Sequence, residues 1–146
     1  MKKIVFILLS VCIASVTFAD PGVNEKVLKV FNDAFPSVQN ARWHDYETYY
    51  EVYFEKDDMK CRIKYDQDGN VIGTRRDYYE THLSPFIKAK VTKKYFGKKI
   101  FGVTEMTSDS EMYYIITLED EKSWTQLKAD ATGQMSVVEK LKKSDK

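Results

Sequence analysis

The feature that most constrains this 146-residue chain is a self-similarity at a spacing of 60 to 64 residues. An amphipathic run opens at Val23-Asn24 and carries Val27, Phe31 and Phe35 at helical spacing. Sixty residues later Leu83-Ser84 opens a second run with Ile87, Val91 and Tyr95. Each start is an apolar residue followed by a residue that caps helix N-termini, and Pro85 takes the first helical position of the second. Each run meets a breaker, Pro36 in one and Gly97 in the other. A period of this size points to a repeated supersecondary unit and sets the fold before any single motif does.

The segments after each helix correspond as well. Trp43 falls on Val103; after a loop four residues longer in the second copy, 49–54 falls on 113–118 at an offset of 64. Cys61, Ile63 and Tyr65 fall on Thr125, Leu127 and Ala129, and the turn Asp66-Gln67-Asp68-Gly69 falls on Asp130-Ala131-Thr132-Gly133. Alternation with period two predicts strands at 40–46, 48–55, 59–65 and 71–77, then 99–105, 111–119, 123–129 and 134–141. In the first unit Tyr50, Val52, Phe54, Cys61, Ile63 and Tyr65 form one phase; Tyr49, Glu51, Tyr53, Lys60, Arg62 and Lys64 form the other. The expected fold class is α+β: two tandem helix-plus-antiparallel-strands repeats, their sheets joined into one curved layer with the helices on one face.

The N-terminus has the three regions of a secretory signal: Lys2 and Lys3, an apolar run over 4–18, and small residues around Ala19 ahead of Asp20-Pro21. The run is shorter than the ~20 apolar residues of a bilayer span, so no stable membrane insertion is expected after its removal. Leu9-Ser10-Val11-Cys12 loosely resembles a lipobox, but Val11 is bulky for such a site, and an ordinary signal peptide is the preferred reading. The expected organisation is a signal peptide at 1–19, a first repeat at 20–78, a second at 79–141 and a charged tail at 142–146, in a periplasmic or secreted protein. Loss of residues 1–19 takes two lysines and no acid from the 23 basic and 22 acidic side chains, leaving a formal charge of −1. That balance argues against a nucleic-acid partner, which requires a basic face. Cys12 leaves with the signal, and the remaining Cys61 reads as a small core side chain.

With the repeat laid out, the chain resembles the PepSY-like family of exported bacterial proteins, whose fold is similar to that of the β-lactamase-inhibitor protein. The likeness rests on the signal peptide, the twin units, the helix exit Ala34-Phe35-Pro36 and the Asp-x-Asp-Gly-Asn turn at 66–70. It implies tandem units sharing one sheet, and it carries no site residues.

No catalytic signature stands out: there is no phosphate loop, no serine elbow, and no base tied by a motif to Cys61. Asp66, Asp68 and Asn70 have the spacing of a calcium loop, yet its sixth and twelfth positions are Val71 and Asp77, so a hairpin turn is expected. His44 with Glu47, and His82 alone, fall short of a zinc site. Neither metal nor cofactor is expected, and the chain reads as non-enzymatic. Glu51 and Glu55 opposite Lys60, Arg62 and Lys64 predict cross-strand ion pairs on the solvent face. Tyr49, Tyr53, Arg62, Tyr113 and Trp124 share the outward phase and are the candidate binding residues, because Tyr, Trp and Arg dominate binding hot spots. Tyr114, Ile116 and Leu118 compete with Tyr113 and Ile115 for the inward face, and packing between units is the competing use of the same aromatics. The expected function is an exported binding module of the cell envelope that holds an unidentified protein or peptide on an aromatic sheet face. A structural or regulatory envelope accessory without a ligand site is the alternative.

Overall fold

The computed structural model describes residues 22–144. The signal peptide expected at 1–19 and the last two residues of the tail lie outside this range. Helix α1 (Glu25–Ala34) is followed by strands β1 (Arg42–Asp45), β2 (Tyr49–Lys56), β3 (Met59–Asp66) and β4 (Val71–Tyr78). A 3-10 turn (Glu80–His82) leads into α2 (Pro85–Lys94), then β5 (Lys99–Ser108), β6 (Met112–Glu119), β7 (Ser123–Asp130) and β8 (Met135–Lys142).

The expected fold class is corrected by the sheet. All eight strands form one antiparallel sheet in the order β1-β2-β3-β4-β5-β6-β7-β8, and the helices amount to two elements of ten residues each. The molecule is therefore predominantly β, not two α+β repeats placed side by side. The physical reason is the pairing of β4 with β5, from Gly73↔Ser108 to Tyr78↔Val103. Backbone hydrogen bonding runs straight across the point where a unit boundary was expected, so each set of four strands is half of one sheet and no self-contained repeat ends there.

Local chemistry explains the elements. The Asn24 side chain accepts a hydrogen bond from the Lys26 amide at 2.8 Å and donates to the Gln67 carbonyl at 3.1 Å, which caps α1 and ties it to the β3–β4 turn. Ser84 makes no such side-chain cap; Pro85 alone opens α2. The β2–β3 hairpin closes on Asp57 and Asp58, with φ of 51° and 59°, as a two-residue turn of the primed class requires.

The core lies on one face of the sheet in two clusters. Val27 and Phe31 of α1 pack on Trp43, Tyr50, Val52, Phe54, Ile63 and Tyr65. Ile87 and Val91 of α2 pack on Val103, Tyr114, Ile116, Leu118, Leu127 and Ala129. The competition for the inward face of β6 is thus resolved in favour of Tyr114, Ile116 and Leu118. Between the clusters, on the same face, Glu105 receives the Tyr78 hydroxyl at 2.7 Å and pairs with Arg76. Burial, and then the hydrogen bond to Glu105, push the Tyr78 hydroxyl pKa far upward. No described helix is long and apolar enough to cross a membrane.

Candidate binding face

The face opposite the helices is built by the alternate phase of β2 to β8. Tyr49, Glu51 and Tyr53 project there from β2, because Tyr50, Val52 and Phe54 are held in the core. Arg62 sits directly across from Tyr53, and Lys64 across from Glu51. The ion pairs expected on a solvent face differ from what is found at Glu51, which is only 3 % exposed. It takes a hydrogen bond from the Tyr53 hydroxyl and has Arg62 Nε and Lys64 Nζ each 3.9 Å from its Oε1. The Tyr53 ring with two basic side chains roofs this carboxylate over, which no alternation pattern announces. Hydrogen bonding to Glu51, aided by partial burial, raises the Tyr53 hydroxyl pKa, while Arg62 pulls it the other way.

Every aromatic residue expected on this face carries a cation. The Arg62 guanidinium lies 4.3 Å from the Tyr53 ring, Lys64 lies 5.0 Å from Tyr49, Lys128 4.0 Å from Tyr113 and Lys143 4.7 Å from Trp124. These are cation–π geometries, and they also hold the long basic stems flat against the rings. Tyr49 and Tyr113 have matching surroundings: each pairs across the ladder with an Asp (Asp66, Asp130) and is covered by the lysine two residues before that Asp (Lys64, Lys128).

The five expected residues do not form one patch. Tyr49, Tyr53 and Arg62 lie together on β2 and β3; Tyr113 and Trp124 lie on β6 and β7. Four strand spacings separate β2 from β6, about 19 Å at ~4.8 Å per strand. The strip between them is polar: Asp77 accepts both Arg75 Nε at 2.9 Å and Thr104 Oγ1 at 2.5 Å. Burial opposes the Asp77 charge, yet these two partners hold its pKa below the ordinary carboxylate value.

A residue absent from the sequence expectation joins Trp124. The β5–β6 register slips between Ile100 and Gly102, leaving Phe101 as the extra residue of a bulge. Its ring meets Trp124 edge-on at 4.7 Å, and with Thr117, Gln126, Glu139 and Leu141 it lines a cleft of about 320 Å³. Only the slip places Phe101 there. A larger polar cleft of about 560 Å³ lies at the other end, lined by Arg42, Tyr53, Lys60 and Arg62 among others.

The loop at 66–70 spends its acid on itself. Asp66 Oδ1 accepts the amides of Asp68 and Asn70, both at 2.8 Å, and Oδ2 accepts the Asn70 side chain. Those bonds, led by the Asn70 side chain, lower its pKa, and Gly69 supplies the left-handed turn residue at φ 85°. Asp130 does the same for Thr132 and Gln134. His44 packs edge-on against Tyr53 at 5.2 Å and His82 against Tyr78 at 6.1 Å. Cys61 lies half-buried across from Arg76, its thiol pKa raised by burial.

The chain matches no family model and no curated protein. Solved structures do match it. A protein from Bacteroides fragilis described as BLIP-like aligns over 89 % of this chain and 92 % of its own, with a TM-score of 0.60 and 14 % identity. A DUF2874 family protein from Bacteroides uniformis aligns over 82 % and 89 %, with a TM-score of 0.59 and 14 % identity. A protein from Bacteroides eggerthii, provisionally described as periplasmic, aligns over 82 % and 88 %, with a TM-score of 0.59 and 13 % identity. What these likenesses establish is the architecture: the eight-stranded sheet with its two short helices is a BLIP-like fold.

Proposed function

We propose that this chain is an exported, non-enzymatic module of the cell envelope that binds a protein or peptide on the sheet face opposite its helices. The observation that carries the reading is that Tyr49, Tyr53 and Arg62 in one group, and Tyr113 and Trp124 in another, share that face, each ring partly exposed beside a cation. Tyr, Trp and Arg bring large contact area with little conformational freedom to lose, which suits them to anchoring a partner. The BLIP-like neighbour supports the reading by analogy of fold, and the B. eggerthii neighbour supports an envelope location. The signal-like N-terminus and the turn motifs favour kinship with the PepSY-like proteins.

Affinity capture from envelope extract tests it. The chain from Asp20 onward should retain a discrete partner that a Tyr53→Ala/Trp124→Ala double variant loses. Equal capture by both proteins would defeat the sheet-face reading and favour the accessory role without a ligand site.

A further inference from the structure

Between Leu83 and Glu105 the chain has six lysines and no acid: Lys88, Lys90, Lys93, Lys94, Lys98 and Lys99. The formal charge of the whole chain is only +1, so this is a segregation of charge and not a general basicity. Helix α1 shows the contrast, since it mixes Glu25 and Asp33 with its lysines and closes a Lys29–Asp33 pair at 2.6 Å. In α2 and its exit, Lys88 finds Glu80 at 2.5 Å and Lys98 finds Asp120. Lys90 and Lys94 donate to the backbone carbonyls of Thr132 and Met135, at 2.8 and 3.1 Å, and lie over the Phe86 and Tyr95 rings, contacts that orient the ammonium groups without neutralising them. Neither Lys93 nor Lys99 closes an ion pair among the described residues; Lys99 stands directly across the ladder from Glu119, whose carboxylate pairs with Lys143.

Phe96 stands in the middle of this charge, just past the helix end, with 93 % of its surface in water. Gly97, at φ +83°, turns the chain away directly after it. Phe86, at the start of the same helix, is also exposed, under Lys90 at 4.6 Å. Lys122, Lys140, Lys142 and Lys143 line an open cavity with Gly97 and Trp124, opposed there by Asp120 and Glu121.

We propose that this end of the molecule, which adjoins the Trp124 edge of the sheet face and lies away from Tyr49 and Tyr53, docks on the surface of an anionic lipid bilayer. Phe96 enters the headgroup layer, and Lys93, Lys94 and Lys99 contact lipid phosphates. A projecting aromatic ring flanked in the chain by lysines on both sides is the arrangement of an interfacial anchor, which needs apolar insertion and electrostatic attraction together. A folded acidic partner would have to offer a fitted pocket for Phe96, whereas a bilayer accepts the ring without shape complementarity. Attachment of this kind is peripheral and reversible, and leaves Tyr49, Tyr53 and Arg62 at the far end of the sheet face free.

Co-sedimentation with vesicles tests it, using the chain from Asp20 onward. Vesicles of phosphatidylcholine with about one-third phosphatidylglycerol should carry the protein down at low salt, and pure phosphatidylcholine vesicles should not. Inorganic phosphate at matched ionic strength should not compete beyond its screening effect. Phe96→Ser, and separately Lys93→Glu/Lys99→Glu, should each weaken partitioning at least about tenfold. Lys26→Glu/Lys29→Glu on α1, which changes the net charge equally, should leave it near the starting value. All of these positions are exposed, so thermal melts should confirm folded variants. No sedimentation with the anionic vesicles overturns the proposal, as does full binding by Phe96→Ser or equal loss in the α1 control. A hexaglutamate peptide bound as tightly at the same lysines would overturn it in favour of an acidic protein partner.

Discussion

Tyr78 on β4 donates its hydroxyl to Glu105 on β5 at 2.7 Å, at the one strand junction of the sheet that a helix spans in sequence. Arg76, directly across the ladder from Glu105, completes the group. Hydrogen bonds to buried charged groups contribute more than neutral ones, because the unpaired carboxylate would otherwise stay desolvated. Tyr78→Phe keeps the ring and removes only the donor. It should lower unfolding stability by about 1–3 kcal/mol in denaturant melts. A change within error would mean that water or Arg76 alone satisfies Glu105.

Trp124 and Leu127 lie three residues apart on β7 with opposite phases, and Leu127 is 0 % exposed. Leu127→Ala should cost about 2–5 kcal/mol through the cavity left under α2. Trp124→Ala gives up its edge-on contact with Phe101 and the cover of Lys143, and should cost about 1 kcal/mol. If the tryptophan variant proves as damaging as the leucine variant, Trp124 is a core residue and leaves the binding face.

Asp57 and Asp58 both hold positive φ in the β2–β3 turn, a conformation costing a non-glycine residue roughly 1–2 kcal/mol. Glycine removes that cost at the second central position and returns part of it as added freedom of the unfolded chain. Asp58→Gly should therefore stabilise the protein by about 0.5–1 kcal/mol, read as a higher urea midpoint at unchanged slope. A lower midpoint would show that the Asp58 side chain makes a contact worth more than the backbone relief.

The pH profile should fall at both ends. Asp66, Asp77 and Asp130 all have folded pKa values below those of the free side chain. Their stabilisation is present above the unfolded value, near 4, and disappears as pH drops through the folded values. On the alkaline side, burial raises the Tyr65 pKa to about 12. A group raised in this way stabilises fully below its unfolded pKa near 10, and loses that contribution as pH climbs toward 12. Urea midpoints should thus be flat between about pH 5 and 9, and fall outside that window. A profile still flat at about pH 3 would remove the carboxylate argument.

Strand positions were legible because apolar alternation is a local signal: Tyr50, Val52 and Phe54 cannot face the core unless Tyr49, Glu51 and Tyr53 face away. The same alternation misjudged Glu51, since its burial comes from the length of Tyr53, Arg62 and Lys64 folding over it, not from its own phase. Phe101 was illegible for another reason. A bulge changes direction by inserting one residue, and nothing in the run Lys99-Ile100-Phe101-Gly102 tells which residue slips. The balance of the fold was misjudged because helical periodicity marks where a helix lies and not its weight: one ten-residue helix beside four strands in each half makes a β protein, and the β4–β5 pairing is a relation between distant segments that neither announces alone.

The strict sequential order of the strands has a kinetic consequence. Seven antiparallel contacts join each strand to its successor, and six of them close across short turns. Only Gly73↔Ser108 through Tyr78↔Val103 must enclose a helix before the ladder can zip. Hairpins form in microseconds, and the entropy of closing a loop grows only slowly with its length. Assembly from local meanders inward should be fast for so β-rich a protein, and the β4–β5 closure, locked by Tyr78 and Glu105, is the natural last step of the search.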